Sequence, residues 1–144
     1  MPDGSLAALT AEVRQLRLAV EELARSQTET QALGVYLSAQ QSRLQQADQQ
    51  YAAARRELDS ATAARDRIEA QLTDAMAEQP RATSAERRAE LEQAIDDLKY
   101  EQARVDRDLQ QARNRENDLS RELQSEETRW NDLIARLEAL APQR

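Results

Sequence analysis

The sequence predicts an all-α fold: a long antiparallel two-helix coiled-coil hairpin with an N-terminal helical extension that oligomerises. Three observations lead there. Apolar residues recur at alternating steps of three and four along almost the whole chain, the spacing of a helix that buries one stripe. The pattern breaks once, at Glu78-Gln79-Pro80-Arg81-Ala82-Thr83-Ser84. The composition is that of long helices: 33% charged residues, 2 Gly, 3 Pro and no Phe, with Ala, Leu, Glu, Gln and Arg dominant, all good helix formers. Apolar residues so dispersed fill a narrow seam rather than a wide interior.

Residues 1–24 read as a stalk. Met1 to Gly4 are expected to fray, and Ser5 is placed to cap the first helix by accepting from an amide of its first turn. Leu6, Leu9, Val13, Leu16, Val20 and Leu23 then form a seam with no polar interruption. Val at a and Leu at d favour two parallel strands. The run Arg25 to Gln31 is polar, and there the pattern slips by three residues. Gly34 lies within the slip and weakens the helix by about 1 kcal/mol relative to Ala. Two readings follow: one continuous helix with altered supercoiling, or a hinge at residues 26–35.

The first hairpin arm covers 25–79. Its seam is Leu37, Leu44, Ala47, Tyr51, Ala54, Leu58, Ala61, Ile68, Leu72 and Ala75, with Arg65 intruding and its stem expected to lie along the seam. Pro80 pushes its predecessor out of the helical region, so the arm should end near Glu78–Gln79. The tip is 80–83. Thr83 and Glu86 match a capping box, which opens the second arm, 84–141. Its seam is Leu91, Ile95, Leu98, Gln102, Val105, Leu109, Ala112, Glu116, Leu119, Leu123, Glu126, Trp130, Leu133, Leu137 and Leu140, and Pro142 should stop it.

So short a break makes the two arms antiparallel neighbours. Closing them symmetrically about the break pairs positions whose numbers add to about 163. Leu72 then faces Leu91, Ile68 faces Ile95, Leu58 faces Val105, Ala54 faces Leu109, Tyr51 faces Ala112 and Leu44 faces Leu119. Trp130 falls opposite Leu33 and Gly34, where a missing side chain would admit the indole. Leu23 lands by Leu140, which leaves the stalk seam without a partner in the chain. An apolar seam left in water is an interaction site, so residues 5–24 are expected to bring copies together as a homodimer, or to pair with another coiled-coil protein.

Chemistry is constrained by what is missing. With no Cys and no His, there are no disulfides, thiolate nucleophiles or imidazole bases. Carboxylates cluster at Asp96-Asp97, at Glu126-Glu127 and at Glu116 with Asp118, but carboxylate metal sites in helical bundles also use His. Glu116 and Glu126 lie in the seam and read as polar register markers that bend outward, beside Ala47 and Leu37. Gln102, opposite Ala61, reads the same way. No phosphate loop or nucleophile elbow is present. The expectation is no enzyme, no cofactor and no small-molecule substrate.

Net charge is −7, spread as −4 over residues 1–80 and −3 over 81–144, which disfavours nucleic acid as a partner. Arg104, Arg107, Arg113 and Arg115 are interleaved with Asp106, Asp108, Glu116 and Asp118, a solvated face laced by opposite charges. Tyr36 and Tyr100 are too isolated to stack bases. The longest uncharged run, Thr30 to Ser42, is too short and too polar to span a bilayer. Met1-Pro2-Asp3-Gly4-Ser5 lacks the parts of an export signal. With Met1 as the native start the chain belongs in the cytoplasm; with a signal removed upstream, in the periplasm or cell envelope.

The run Leu-Thr-Ala-Glu-Val-Arg-Gln-Leu-Arg-Leu-Ala-Val-Glu-Glu (residues 9–22), followed by Arg56-Glu57-Leu58, resembles the start of uncharacterised bacterial coiled-coil proteins, some of them exported. The resemblance brings no enzymatic residues and points toward the cell envelope. The function expected is a structural, scaffolding one. The alternatives are an arm of a larger assembly or a prefoldin-like binding or chaperone module, whose hairpin tip would have to be apolar; Pro80, Arg81, Thr83 and Ser84 are poor candidates for that.

Overall fold

The computed structural model describes residues 2–140, with side chains from Gly4 onward. It is a helical hairpin: α1 spans Pro2–Glu78, a 3-10 turn spans Gln79–Arg81, and α2 spans Ala85–Leu140. Helix α1 begins at Pro2 rather than after Gly4. Proline is tolerated there because its missing N–H is one the first turn leaves unpaired anyway. The helix runs through 26–35 without interruption, so the phase slip is not a hinge. Within the polar stretch Thr28 and Thr30 donate to the carbonyls of Ala24 and Ser26, each at 2.9 Å, a back-bond that leaves the helix uninterrupted. The stop predicted at Pro142 lies outside the described residues.

Helix α1 ends at Glu78, where the first arm was expected to end, but the turn beyond it departs from expectation in two ways. Pro80 leaves Gln79 within a 3-10 turn rather than in extended backbone. It sits in the opening of the 3-10 turn, where no amide is needed. Half-buried Gln79 and Ala82 prolong the inward spacing of Ile68, Leu72 and Ala75. The chain turns away at Ala82, whose backbone is extended (φ −67°, ψ 126°) and whose N–H closes the turn onto Gln79 O. The cap of α2 is Ser84, not Thr83: Ser84 Oγ accepts from the Arg87 N–H at 3.1 Å, and Ser84 O takes the first helical bond, from Arg88 N–H.

The chain forms two compact units, one of residues 1–44 with 126–144 and the other Gln45–Ser125. In the unit Gln45–Ser125 the core is a single seam. Ala47, Ala54, Ile68, Leu91, Ile95, Val105, Leu109 and Ala112 are buried, Ala54 most completely at 2% exposure. Tyr51, Leu58, Leu72, Leu98, Leu119 and Leu123 are half-buried beside them. In the other unit Leu33, Leu37, Leu44, Trp130, Leu133 and Leu137 are half-buried around a buried polar side chain, Gln40. Among the described residues no helix is long and apolar enough to cross a membrane.

Gly34 does not make room for Trp130. It is exposed, and a Cβ built there meets nothing within 4 Å. Leu23 does not pack on Leu140 either. Both are exposed, and no described residue before Leu33 is even half-buried. The second arm therefore covers less of α1 than the symmetric pairing implied.

Candidate interaction surfaces and the polar layers of the seam

Register is visible in the polar contacts between the arms. Gln40 Nε2 donates to the backbone carbonyl of Glu126 at 3.2 Å and also to the Glu126 carboxylate. Tyr51 Oη donates to Glu116 Oε1 at 3.2 Å, and Arg55 Nη1 stands 3.7 Å from the same oxygen. These pairs have numbers adding to 166 and 167, not 163. The shift is half a heptad. The longer arginine side chains reach farther, with Arg55–Glu116 and Arg65–Asp106 adding to 171 and Glu57–Arg115 to 172; an alignment at 166 to 167 would set Ile68 level with Leu98, Leu58 with Leu109 and Ala54 with Ala112, where the sum of 163 set Ile95, Val105 and Leu109.

The two seam carboxylates accordingly do not bend outward. Glu116 and Glu126 side chains are only 14% and 12% exposed. A carboxylate so enclosed must find donors, since an unpaired buried charge is costly. Beside Ala47 and Leu37 they would find none. In the observed register Glu116 has Tyr51 and Arg55. Glu126 has Gln40 and, at 3.2 Å, Arg129 Nη1. Gln40 is the residue the sequence reading missed. It lies seven positions before Ala47, so heptad phase marked it; its polarity within a glutamine-rich patch concealed it.

Arg65 is half-buried, as a seam arginine must be. Its Nη2 is 2.9 Å from Glu69 Oε1 and its Nε 3.6 Å from Asp106 Oδ1. Gln102 is also half-buried. At the turn, Arg87 bridges Glu78 at 2.7 Å and Glu90 at 3.2 Å. The hydrogen bond with Glu78, then that with Glu90, holds its guanidinium above the ordinary arginine pKa. The tip is thus ionic and polar on its surface.

The residues expected to bring copies together occupy one place. Leu6, Leu9, Val13, Leu16, Val20 and Leu23 are each between 57% and 64% exposed. All belong to α1, the helix that also carries the first hairpin arm. Their spacing gathers them on one stripe, with Leu18 on another face and Tyr36 and Tyr100 exposed singly. Farther along the same unit, Leu33, Tyr36, Ala39, Leu133, Arg136 and Leu140 line an open groove of about 600 Å³. No group of three or more His, Cys, Asp or Glu side chains converges as a metal-binding set among the described residues. No family model, curated protein or solved structure matches the chain.

Proposed function

We propose that this chain is a structural, non-enzymatic coiled-coil protein that assembles through its N-terminal stalk and presents the helical hairpin. One observation carries the reading: an apolar stripe of two and a half heptads, Leu6 to Leu23, exposed on a helix that is already formed. An isolated helix of such length is marginal, because nucleation is costly. Here the arm that continues it is packed against α2, so the stalk extends an existing helix. Burying a Leu or Val side chain contributes about 1.5–3 kcal/mol, enough over several layers to offset the entropy of association. The partner is a second copy of the chain. The role is spacing and presentation, for which no catalytic group is needed.

Sedimentation equilibrium of the full chain tests this. The parent should have the mass of a dimer. The variant Leu9→Glu with Leu16→Glu should fall to a monomer while its far-ultraviolet circular dichroism keeps the hairpin's helical signal. A parent that stays monomeric to about 100 µM, some hundredfold above a micromolar association, would sink the self-assembling reading and leave the stripe to a different coiled-coil protein.

A further inference from the structure

The stripe has flanks, and the flanks specify how a second copy lies on it. With Leu6, Val13 and Val20 at a and Leu9, Leu16 and Leu23 at d, the residues beside the seam are fixed by counting. The g positions hold Ser5, Glu12, Ala19 and Ser26; the e positions hold Thr10, Arg17 and Ala24. Within the stripe from Leu6 to Leu23, Glu12 and Arg17 are therefore the only charges at e or g, Asp3 standing at the e position before it.

Two helices can share this seam in either direction, and the direction decides which flanks meet. In a parallel, in-register pair, g of one chain meets e of the next heptad in its partner, five positions on. Five positions after Glu12 is Arg17. The match occurs twice, once on each side of the seam, by the two-fold symmetry of the pair. In an antiparallel pair g meets g and e meets e. Glu12 then meets Ala19, Ser5, Ser26 or another Glu12, and Arg17 meets Thr10, Ala24 or another Arg17. Arg17 meets Asp3 only in a register that leaves Val20 and Leu23 uncovered; no antiparallel register that overlaps all six seam residues gives an attractive pair, and other registers give a repulsive one.

The geometry of the free chain is compatible with this use. Arg17 Nε rests 3.1 Å from Glu21 Oε1 within the same helix, with the arginine side chain 79% exposed, so its guanidinium is free to turn. Glu12 makes no ion pair among the described residues. Val at the two inner a positions with Leu at every d favours two strands.

We infer that the stalk pairs with a second copy of itself, parallel and in register, and that mutual Glu12–Arg17 ion pairs select that direction. The inference rests on the self-assembly proposed above and adds the orientation. It predicts a pattern that charge reversal can read in the full chain. Glu12→Arg alone, or Arg17→Glu alone, turns both ion pairs into like-charge contacts. Each variant should dimerise about tenfold more weakly than the parent at low salt, because at each of the two contacts an attraction is lost and a like-charge repulsion is gained. Mixed one to one, the two variants should form a heterodimer about as tight as the parent dimer. The chain carrying both substitutions should recover self-association.

Sedimentation equilibrium gives the affinities, and native mass spectrometry with one variant isotopically heavy counts the mixed dimers. Helicity by circular dichroism checks that each variant is folded, which exposed charge changes should not disturb. A parent dimer whose two variants mix only statistically, with no gain over either alone, overturns the parallel assignment and leaves self-assembly standing. A monomeric parent overturns both.

Discussion

The contact between Tyr51 and Glu116 can be measured as a coupling energy. The perturbation is a double-mutant cycle of Tyr51→Phe, Glu116→Gln and the pair. Tyr51 Oη lies 3.2 Å from Glu116 Oε1, long for an O–H···O hydrogen bond. A hydrogen bond to a charged group contributes about 1.5–3 kcal/mol; at this length, on a half-buried tyrosine, the lower end or slightly below applies, about 1–1.5 kcal/mol. Arg55, 3.7 Å from the same carboxylate and 54% exposed, adds at most a few tenths. Its effect is present whether or not the tyrosine hydroxyl is, so it drops out of the cycle. The assay is urea unfolding followed by circular dichroism, in the background Leu9→Glu with Leu16→Glu so that association does not enter. A coupling of about 1 kcal/mol is expected. A value below about 0.3 kcal/mol, the usual scatter of additivity, would refute the reasoning, because it is what Tyr51 beside Ala112 would give.

Other expectations follow from the same structure. Cysteines at 58 and 109 should cross-link on oxidation in preference to cysteines at 58 and 105, since the two registers differ by roughly 5 Å along the axis; preferential 58–105 linking would restore the symmetric closure. Gly34→Ala should stabilise the hairpin by about 1 kcal/mol, raising Tm by roughly 3 °C, because the added methyl meets open space; a fall in Tm would return Gly34 to the role of making room for Trp130. Ser84→Ala should lower stability by about 1 kcal/mol and Thr83→Ala by a few tenths at most, and the opposite ranking in thermal melts would move the cap back to Thr83. Ile95→Ala, at a buried seam position, should cost about 2–4 kcal/mol, whereas Leu18→Ala, on an exposed face, should change urea stability by under about 0.5 kcal/mol.

What could be read in the sequence was whatever depends on period alone. Leu91, Ile95, Val105, Leu109 and Ala112 are all buried because a period of three and four selects one stripe, and no knowledge of the partner is needed to find it. The hairpin followed from the single short break. Register did not follow, for a specific reason. An apolar heptad seam matches its partner equally well after a shift of half a heptad, so Leu58 is content beside Val105 or Leu109. The residues that remove this degeneracy are polar: Gln40, Tyr51, Glu116 and Glu126. Their partners become visible only in the folded hairpin; the rule that Pro ends a helix places the end of α1 at Glu78 but does not reveal that Gln79–Arg81 form a 3-10 turn.

The stalk poses the same problem without either solution. Its seam carries no polar residue, so nothing within it distinguishes one direction or register from another. A second copy arrives by diffusion, with no covalent turn to set the alignment. Inside the hairpin, buried groups specify register at some expense in desolvation, a use of polar residues seen in other coiled coils. Between copies, the only groups positioned to do so are those bordering the seam, and Glu12 and Arg17 are the charged ones. A solvent-exposed ion pair adds little affinity, but choosing between directions requires only a difference, and an antiparallel arrangement that covers the whole stripe has no attractive pair to set against it. In the proposed assembly the two tasks are separate: polar layers of the seam join α2 to α1, while apolar layers would drive association and two flanking charges would orient it.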